Sequence, residues 1–267
     1  QGIFESVRRA VELAGGLEDI VKPGDLVLIK PNLVAVPSGR LTGAITRWEV
    51  CKAVADLVKE RGGRPVIAES SAAGVDTEKV IEAGEYAQLR DRGYEVVDLK
   101  RTAPATLDIP EGHKVFAEMG SWELVAKADV VISCPVMKTH DQTEITVSMK
   151  NLKGLISDPT KKAFHKEGVL EGVVDLLTYL KPRLTVVDAT VCQEGLGPIF
   201  GTPVHMGLIL ASKDLVAADA VCGRIMGYAP DDVMITVRAH ARGLGEKNLD
   251  KIEVRGDATI AQVERRF

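Results

Sequence analysis

The chain has 267 residues, 45% of them hydrophobic, and carries 34 Lys and Arg against 38 Asp and Glu for a net charge of −4. That length and apolar content suffice to bury a full core, and the absence of long like-charge runs argues against nucleic acid or an anionic membrane as the main partner. No apolar run approaches the roughly 18 to 20 residues that cross a bilayer, and the N-terminus lacks the charged-then-apolar plan of a secretion signal, so a soluble cytoplasmic protein is expected.

The chain opens on Gln1 and closes on Phe267 after Arg265-Arg266, so a first strand is expected to precede Gln1 and a further module could follow Phe267. Phe4 to Ala14 has helical periodicity, and Asp25-Leu26-Val27-Leu28-Ile29-Lys30 is a short apolar strand between Pro23-Gly24 and Pro31. A helix over Arg47 to Arg61 stops at Gly62-Gly63. A strand at Pro65 to Glu69, helices from Thr77 to Arg92 and a strand at Glu95 to Leu99 follow. Ala128 to Cys134 is wholly apolar apart from Asp129 and Ser133, and reads as a strand buried on both faces. Thr143 to Met149 fits a strand or an extended approach to a turn. Val169 to Leu180 is a helix ended by Pro182, Leu184 to Asp188 and Met206 to Ala211 are strands, and a helix from Leu215 to Met226 stops at Gly227. Asp232 to Arg242 reads as helix and Lys251 to Arg255 as a late edge strand. Such alternation predicts a three-layer α/β fold, a mostly parallel sheet flanked by helices. One domain over 1–267 is expected, with a small lobe around 100–125 or 156–182.

In open parallel sheets ligands bind beyond the carboxyl ends of the strands, and the polar residues collect there. Pro135-Val136-Met137-Lys138-Thr139-His140 leaves the Val130 to Ser133 strand, and Lys150-Asn151-Leu152-Lys153-Gly154 follows ten residues later. Lys138, His140, Lys150 and Lys153 offer donors to an anion, and Asn151 adds donor and acceptor capacity. Lys30-Pro31-Asn32 repeats the design after the first strand. A small carboxylate or phosphate, as substrate or cofactor, fits this rim, with Lys30, Asn32, Lys150, Asn151 and Lys153 binding it and Lys138 expected in the catalytic group with His140. His140 is the expected proton-transfer group, its ordinary pKa lying nearest neutrality. Asp188 and Glu194, before and within a glycine-rich turn ending Gly195-Leu196-Gly197-Pro198, would orient it, hold a cation or supply a second acid–base group. This turn lacks the spacing of a P-loop. Asp214 reads as a helix cap, and Asp219, among Ala217, Ala218, Ala220 and Val221, needs a partner or a ligand.

Cys51, Cys134, Cys192 and Cys222 form no local zinc or ferredoxin spacing. Cys134 and Cys192 each sit at or beyond a predicted strand end, so they are read either as packed thiols or as metal ligands at the same rim. As ligands, two sulfurs alone do not complete a [4Fe-4S] cluster, which would need a homodimer, His140, a carboxylate or an open iron. His113, His165 and His240 read as surface residues, and His205 could face the rim.

The motifs Val27-Leu28-Ile29-Lys30-Pro31-Asn32-Leu33, Met137-Lys138-Thr139-His140, Ser148-Met149-Lys150-Asn151-Leu152-Lys153-Gly154, Asp188-Ala189-Thr190, Gly195-Leu196-Gly197-Pro198 and Ala217-Ala218-Asp219-Ala220 resemble the "domain of unknown function 362" family over most of the chain. The resemblance implies an α/β fold and an association with iron–sulfur proteins, many relatives carrying a ferredoxin-like module; the clustered cysteines of that module are not in this stretch. With the basic rim it suggests a redox-linked enzyme or enzyme subunit with an electron-transfer partner. The rival expectation is a non-catalytic anion-binding, cluster-carrying or partner-docking protein.

Overall fold

The computed structural model describes residues 2–39 and 41–267. Its strands are β1 (Leu26–Pro31), β2 (Arg64–Glu69), β3 (Glu95–Asp98), β4 (Pro104–Asp108), β5 (Glu118–Trp122), β6 (Val130–Cys134), β7 (Val136–His140), β8 (Glu144–Thr146), β9 (Leu184–Glu194) and β10 (Thr202–Ser212). Eight of them form one sheet in the order β3-β2-β1-β6-β9-β7-β8, with β10 on β9, and β4 and β5 pair separately. β1 pairs in parallel with β2 and β6, and β9 in parallel with β6 and β7. Among the described residues only β10 on β9 and β8 on β7 run antiparallel in this sheet.

Strand alternation divides the core. Leu28, Val66, Val131 and Val187 face one layer, under helices Val169–Leu180 and Leu215–Ile225. Val27, Ile29, Ile67, Val130 and Ile132 face the other, under helices Ile3–Leu13 and Trp48–Glu60. Each such aliphatic side chain, fully buried, contributes about 1.5–3 kcal/mol. The fold is therefore α/β, a mostly parallel sheet covered by helices on both faces. Among the described residues no helix is long and apolar enough to cross a membrane.

Two features position the site. The chain steps from β1 outward to β2 and β3, then returns to place β6 on the other side of β1, so the strand order reverses between β1 and β6. At such a reversal the carboxyl ends of the strands leave a crevice. Second, Pro135 interrupts the ladder without ending it. Its carbonyl accepts from the Asp188 N–H at 2.8 Å, and β7 continues along β9.

Several expectations change here. Val136 to His140 is a buried strand and not a rim loop, because β9 runs on to Glu194 and offers it a partner. Asp188 consequently lies mid-strand. Thr143 to Met149 resolves into the end of a hairpin, β8, and the start of a short helix, Ser148–Asn151. Lys251 to Arg255 is no strand: a 3-10 turn at Leu249–Lys251 leads into irregular chain in which Ile252 packs on the core while Glu253, Val254 and Arg255 are exposed. Helix Asp158–Glu167, with Pro159 in its first turn, was not expected from periodicity.

Candidate functional site

The lysines of this end are inside the protein. Lys30 and Lys138 are 1% and 0% exposed, and Lys161, on helix Asp158–Glu167, is 4% exposed. An ammonium taken from water needs its three donors matched. Lys30 Nζ reaches Pro31 O at 2.5 Å, Glu69 Oε2 at 2.6 Å and Asn151 Oδ1 at 2.9 Å. Lys138 Nζ reaches Asn32 Oδ1, Ala44 O and Pro198 O at 2.7–2.9 Å. Lys161 Nζ reaches Ser70 O, Ser70 Oγ and Ser71 O at 2.6–2.7 Å. All three are saturated. They tie the chain after β1 and β2 and the turn after β9 to one another.

Asn151 locks the crevice between β1 and β6. Its amide nitrogen donates to Lys30 O at 2.9 Å and Ser133 Oγ at 3.0 Å, while its oxygen accepts from Lys30 and from Asn32. Gly154 must be glycine, because a Cβ there would collide with Glu69 Oε1 and Lys30 Nζ. The short helix carrying Lys150 and Asn151 is held by Asp219 of helix Leu215–Ile225, whose carboxylate accepts the Ser148 N–H at 2.7 Å and the Met149 N–H at 3.1 Å. Burial pushes the Asp219 carboxyl up to about 7 despite those bonds.

Lys150 differs from its neighbours. It is 9% exposed and its Nζ meets His140 Nε2 at 3.1 Å, the one bond the described residues give it. The ring's other nitrogen, Nδ1, accepts the Gln142 N–H at 3.0 Å, although Asp141 Oδ1 also lies 3.0 Å away. These two contacts demand opposite tautomers. The amide direction is fixed by the chain whereas Asp141 is 68% exposed and free to turn to water, so the amide decides. Nε2 then carries the hydrogen and donates to Lys150, which must be a neutral amine to accept it. Electrostatics agree. Burial first, and then positive charge at Lys150, Lys138 and Lys153, pushes His140 far below its ordinary range, so the ring is neutral whichever form Lys150 takes, and burial together with Lys153 and Lys30 pushes Lys150 down to about 7.

One turn further, Lys153 Nζ meets His165 Nε2 at 2.6 Å, and His165 Nδ1 meets Gln142 Oε1 at 2.8 Å. The Gln142 oxygen can only accept, so Nδ1 is protonated, Nε2 accepts, and Lys153 donates. Burial lowers Lys153 to about 8. A neutral amine–imidazole pair thus stands beside a half-exposed cationic one at the protein surface.

The profile of the family described as "Domain of unknown function (DUF362)" matches residues 27–224. The chain belongs to this family. A thylakoid-associated protein of Synechocystis sp. is 32% identical over 250 residues, 91% of this chain and 75% of that protein. The apoprotein of lactate racemase from Thermoanaerobacterium thermosaccharolyticum has a similar structure, with a TM-score of 0.53 at 14% identity over 85% of this chain. The chain spans 56% of that protein's length, and the likeness is one of fold.

In this DUF362 chain the structure gathers the buried His140–Lys150 pair and the half-buried Lys153 into one group linked through Gln142 and His165, and it turns Lys30, Asn32, Lys138 and Asn151 inward as a scaffold whose polar atoms are taken by protein partners. Asp188 does not touch His140. Its carboxylate accepts from the Arg47 N–H at 2.8 Å, at the start of helix Trp48–Glu60, and from Thr190. Glu194 is half-buried at the end of β9 and bonds none of the lysines. Asp219 has its partner in backbone amides. His205 is exposed on β10. Sequence reasoning missed Glu69, Lys161 and His165; the last two are four apart on one helix, a spacing that places them on neighbouring turns. His165, expected as a surface residue without a role, is exposed and belongs to the Lys153 pair.

The cysteines do not fit a [4Fe-4S] cluster. Cys134 packs with Ile132 in one core layer and Cys192 with Ala189 and Val204 in the other, on opposite faces of the sheet. Both are fully buried and burial raises both thiols. Among the described residues no group of three or more His, Cys, Asp or Glu is arranged to hold a metal ion. A cavity of about 590 Å³ runs along β10 beside helix Ile3–Leu13, and none of the rim lysines lines it; the chemistry, not the volume, selects the site.

Two outcomes follow from the burial. Glu69→Gln leaves the Lys30 ammonium without its carboxylate and should lower stability by about 3–5 kcal/mol in denaturant titration, with part regained in the Lys30→Met/Glu69→Leu double variant. Lys150→Met should act in the opposite sense. The folded chain keeps Lys150 neutral down to about pH 7, whereas an unfolded lysine stays protonated to about 10.5, so unfolding takes up a proton between those values and stability rises with pH across them. Removing Lys150 abolishes that penalty: the variant should match or exceed wild type at pH 7–8, by on the order of 1–3 kcal/mol, with the gap closing toward pH 10 in thermal melts.

Proposed function

We propose that the chain is an enzyme, or the subunit of one, that takes a small carboxylate-bearing or phosphorylated substrate where His140, Lys150, Lys153 and His165 meet, and moves a proton through the His140–Lys150 pair. The observation that carries this reading is the 3.1 Å contact between His140 Nε2 and an amine with no oxygen acceptor, in a cluster where the other buried lysines are saturated. A solvated surface lysine needs no such arrangement, and a purely structural one takes acceptors as its neighbours do. Lys153 supplies the standing positive charge for the anion, and Lys150, near neutrality, is the group able to give and take a proton at physiological pH. The sequence assigned the titrating role to His140; burial keeps its ring neutral, so it relays its Nε2 hydrogen within the pair while Lys150 is the group that titrates.

The expected link to redox chemistry through Cys134 and Cys192 has no support in their placement, and the proposal routes no step through a cluster. A cytoplasmic site of action goes with this reading. A second reading, docking of a protein partner at the same end, is favoured by one observation. Leu196 and Phe200 are 78% and 81% exposed on the turn whose Pro198 carbonyl holds Lys138 and whose Gly195 carbonyl accepts from Thr139 beside His140.

Saturating citrate or phosphate should raise the melting temperature, since a ligand at 100 times its Kd stabilises by about 2.7 kcal/mol, and Lys153→Met should remove most of that rise. No rise for any small anion in a metabolite panel would sink the anion site. For a substrate found by turnover, His140→Ala should lower kcat roughly 10²-fold or more while the far-UV spectrum is kept. If Leu196→Ser/Phe200→Ser leaves turnover intact and abolishes capture of a defined partner, the docking role stands beside the catalytic one.

A further inference from the structure

The geometry points to a covalent step: we infer that Lys150 condenses through its amine with the carbonyl group of a small oxo-carboxylate, the carboxylate resting on Lys153. This rests on the reading of the rim as an anion-binding site and narrows it to a substrate class. Three features of the structure converge on it. Lys150 is the buried lysine kept as a neutral amine, since its hydrogen-bond partner is an N–H donor and not an oxygen; its lone pair is unprotonated and is released by breaking that one hydrogen bond. Lys30, Lys138 and Lys161 each bond three oxygens as ammoniums, a state with no lone pair to offer. Lys153 lies three residues on, across the junction of helix Ser148–Asn151 with the 3-10 turn Leu152–Leu155, so both side chains leave the same side of the turn. A carbonyl carbon at Lys150 and a carboxylate at Lys153 are the two ends of one small molecule.

The chemistry balances without a co-reactant. The Lys150 nitrogen attacks the carbonyl carbon, a C–N bond forms, and the C=O π pair moves to oxygen, which takes the proton of His140 Nε2. The nitrogen returns one of its protons to the ring, giving a neutral carbinolamine. A second pass through His140 protonates the hydroxyl, the C–O bond breaks, and water leaves as the nitrogen loses its remaining proton. Amine plus carbonyl has become imine plus water, and His140 is restored. A desolvated lysine beside other cations is the setting in which an amine acts as nucleophile near neutral pH. The depressed Lys150 pKa accords with this.

The test uses the intact protein with pyruvate or glyoxylate as probe, sodium borohydride as trap and peptide mapping by mass spectrometry. Expected is a reduced adduct on Lys150 ahead of every exposed lysine, with none on Lys30, Lys138 or Lys161. Labelling should rise with a midpoint near pH 7, disappear in Lys150→Met and slow at least tenfold in His140→Gln. Adducts that follow surface exposure and spare Lys150 overturn the inference. Should Lys150→Met not fold, the wild-type map alone still decides. Melting curves with pyruvate separate the two levels: a raised melting temperature without a Lys150 adduct removes the imine step and keeps the anion site, whereas neither a rise nor an adduct removes both.

Discussion

A lysine ammonium withdrawn from water requires three acceptors, and the carboxyl end of this sheet is organised around supplying them. The carbonyl of Pro31 at the end of β1 and loop carbonyls at Ala44, Ser70, Ser71 and Pro198 point inward onto nitrogen. Loops otherwise turn such groups to water, because unpaired buried carbonyls are expensive. Here the cation and the carbonyls satisfy each other, so neither can be removed alone. The rim becomes as well ordered as the strands beneath it, and a site built on it inherits that order.

The same design limits how much charge the rim tolerates. Glu69 is the fully buried carboxylate bonded within the group, and each further ammonium is repelled by those already placed. At an effective dielectric near 20, two unit charges 4 Å apart interact by about 4 kcal/mol, enough to shift a proton equilibrium by some three pH units. Burial and this repulsion lower Lys138 as well, but its three oxygens each take a hydrogen and so hold it as an ammonium, and the lysine that yields is the one without oxygens around it. That is Lys150, held by a histidine that burial and the same field keep neutral. Neutrality at Lys150 is thus a property of the whole cluster.

Much of this fold was legible as sequence because its signals are local: apolar runs of strand length, glycines after helices, Pro182 behind Leu180. The reversal between β1 and β6 places the Lys30 and Lys150 motifs in one crevice, as their positions after buried strands suggested. What was not legible depended on pairing. Pro135 reads as a strand end, yet β9 extends past it and continues the ladder. Cys134 and Cys192 each stand late in a strand, and only register reveals that alternation turns their sulfurs to opposite faces. Lysine on a helix such as Asp158–Glu167 reads as solvated surface, and nothing local announces that Lys161 points at the end of β2.

Asp219 shows how far the chemistry at Lys150 depends on distant sequence. A four-residue helix has little stability of its own, since nucleation is unfavourable and its first amides lack partners. Ser148 and Met149 find theirs on a carboxylate some seventy positions later in the chain, presented by helix Leu215–Ile225, whose start is itself capped by Asp214 through the Ala217 N–H. The direction of Lys150 toward His140 is therefore set by the packing of that helix on the sheet. The amide bonds hold the Asp219 carboxyl down against the burial that raises it to about 7, so a protonated Asp219 would grip the short helix less firmly. The amine and its orienting acid share a titration range near 7, which couples the geometry of the site to the protonation on which its reactivity depends.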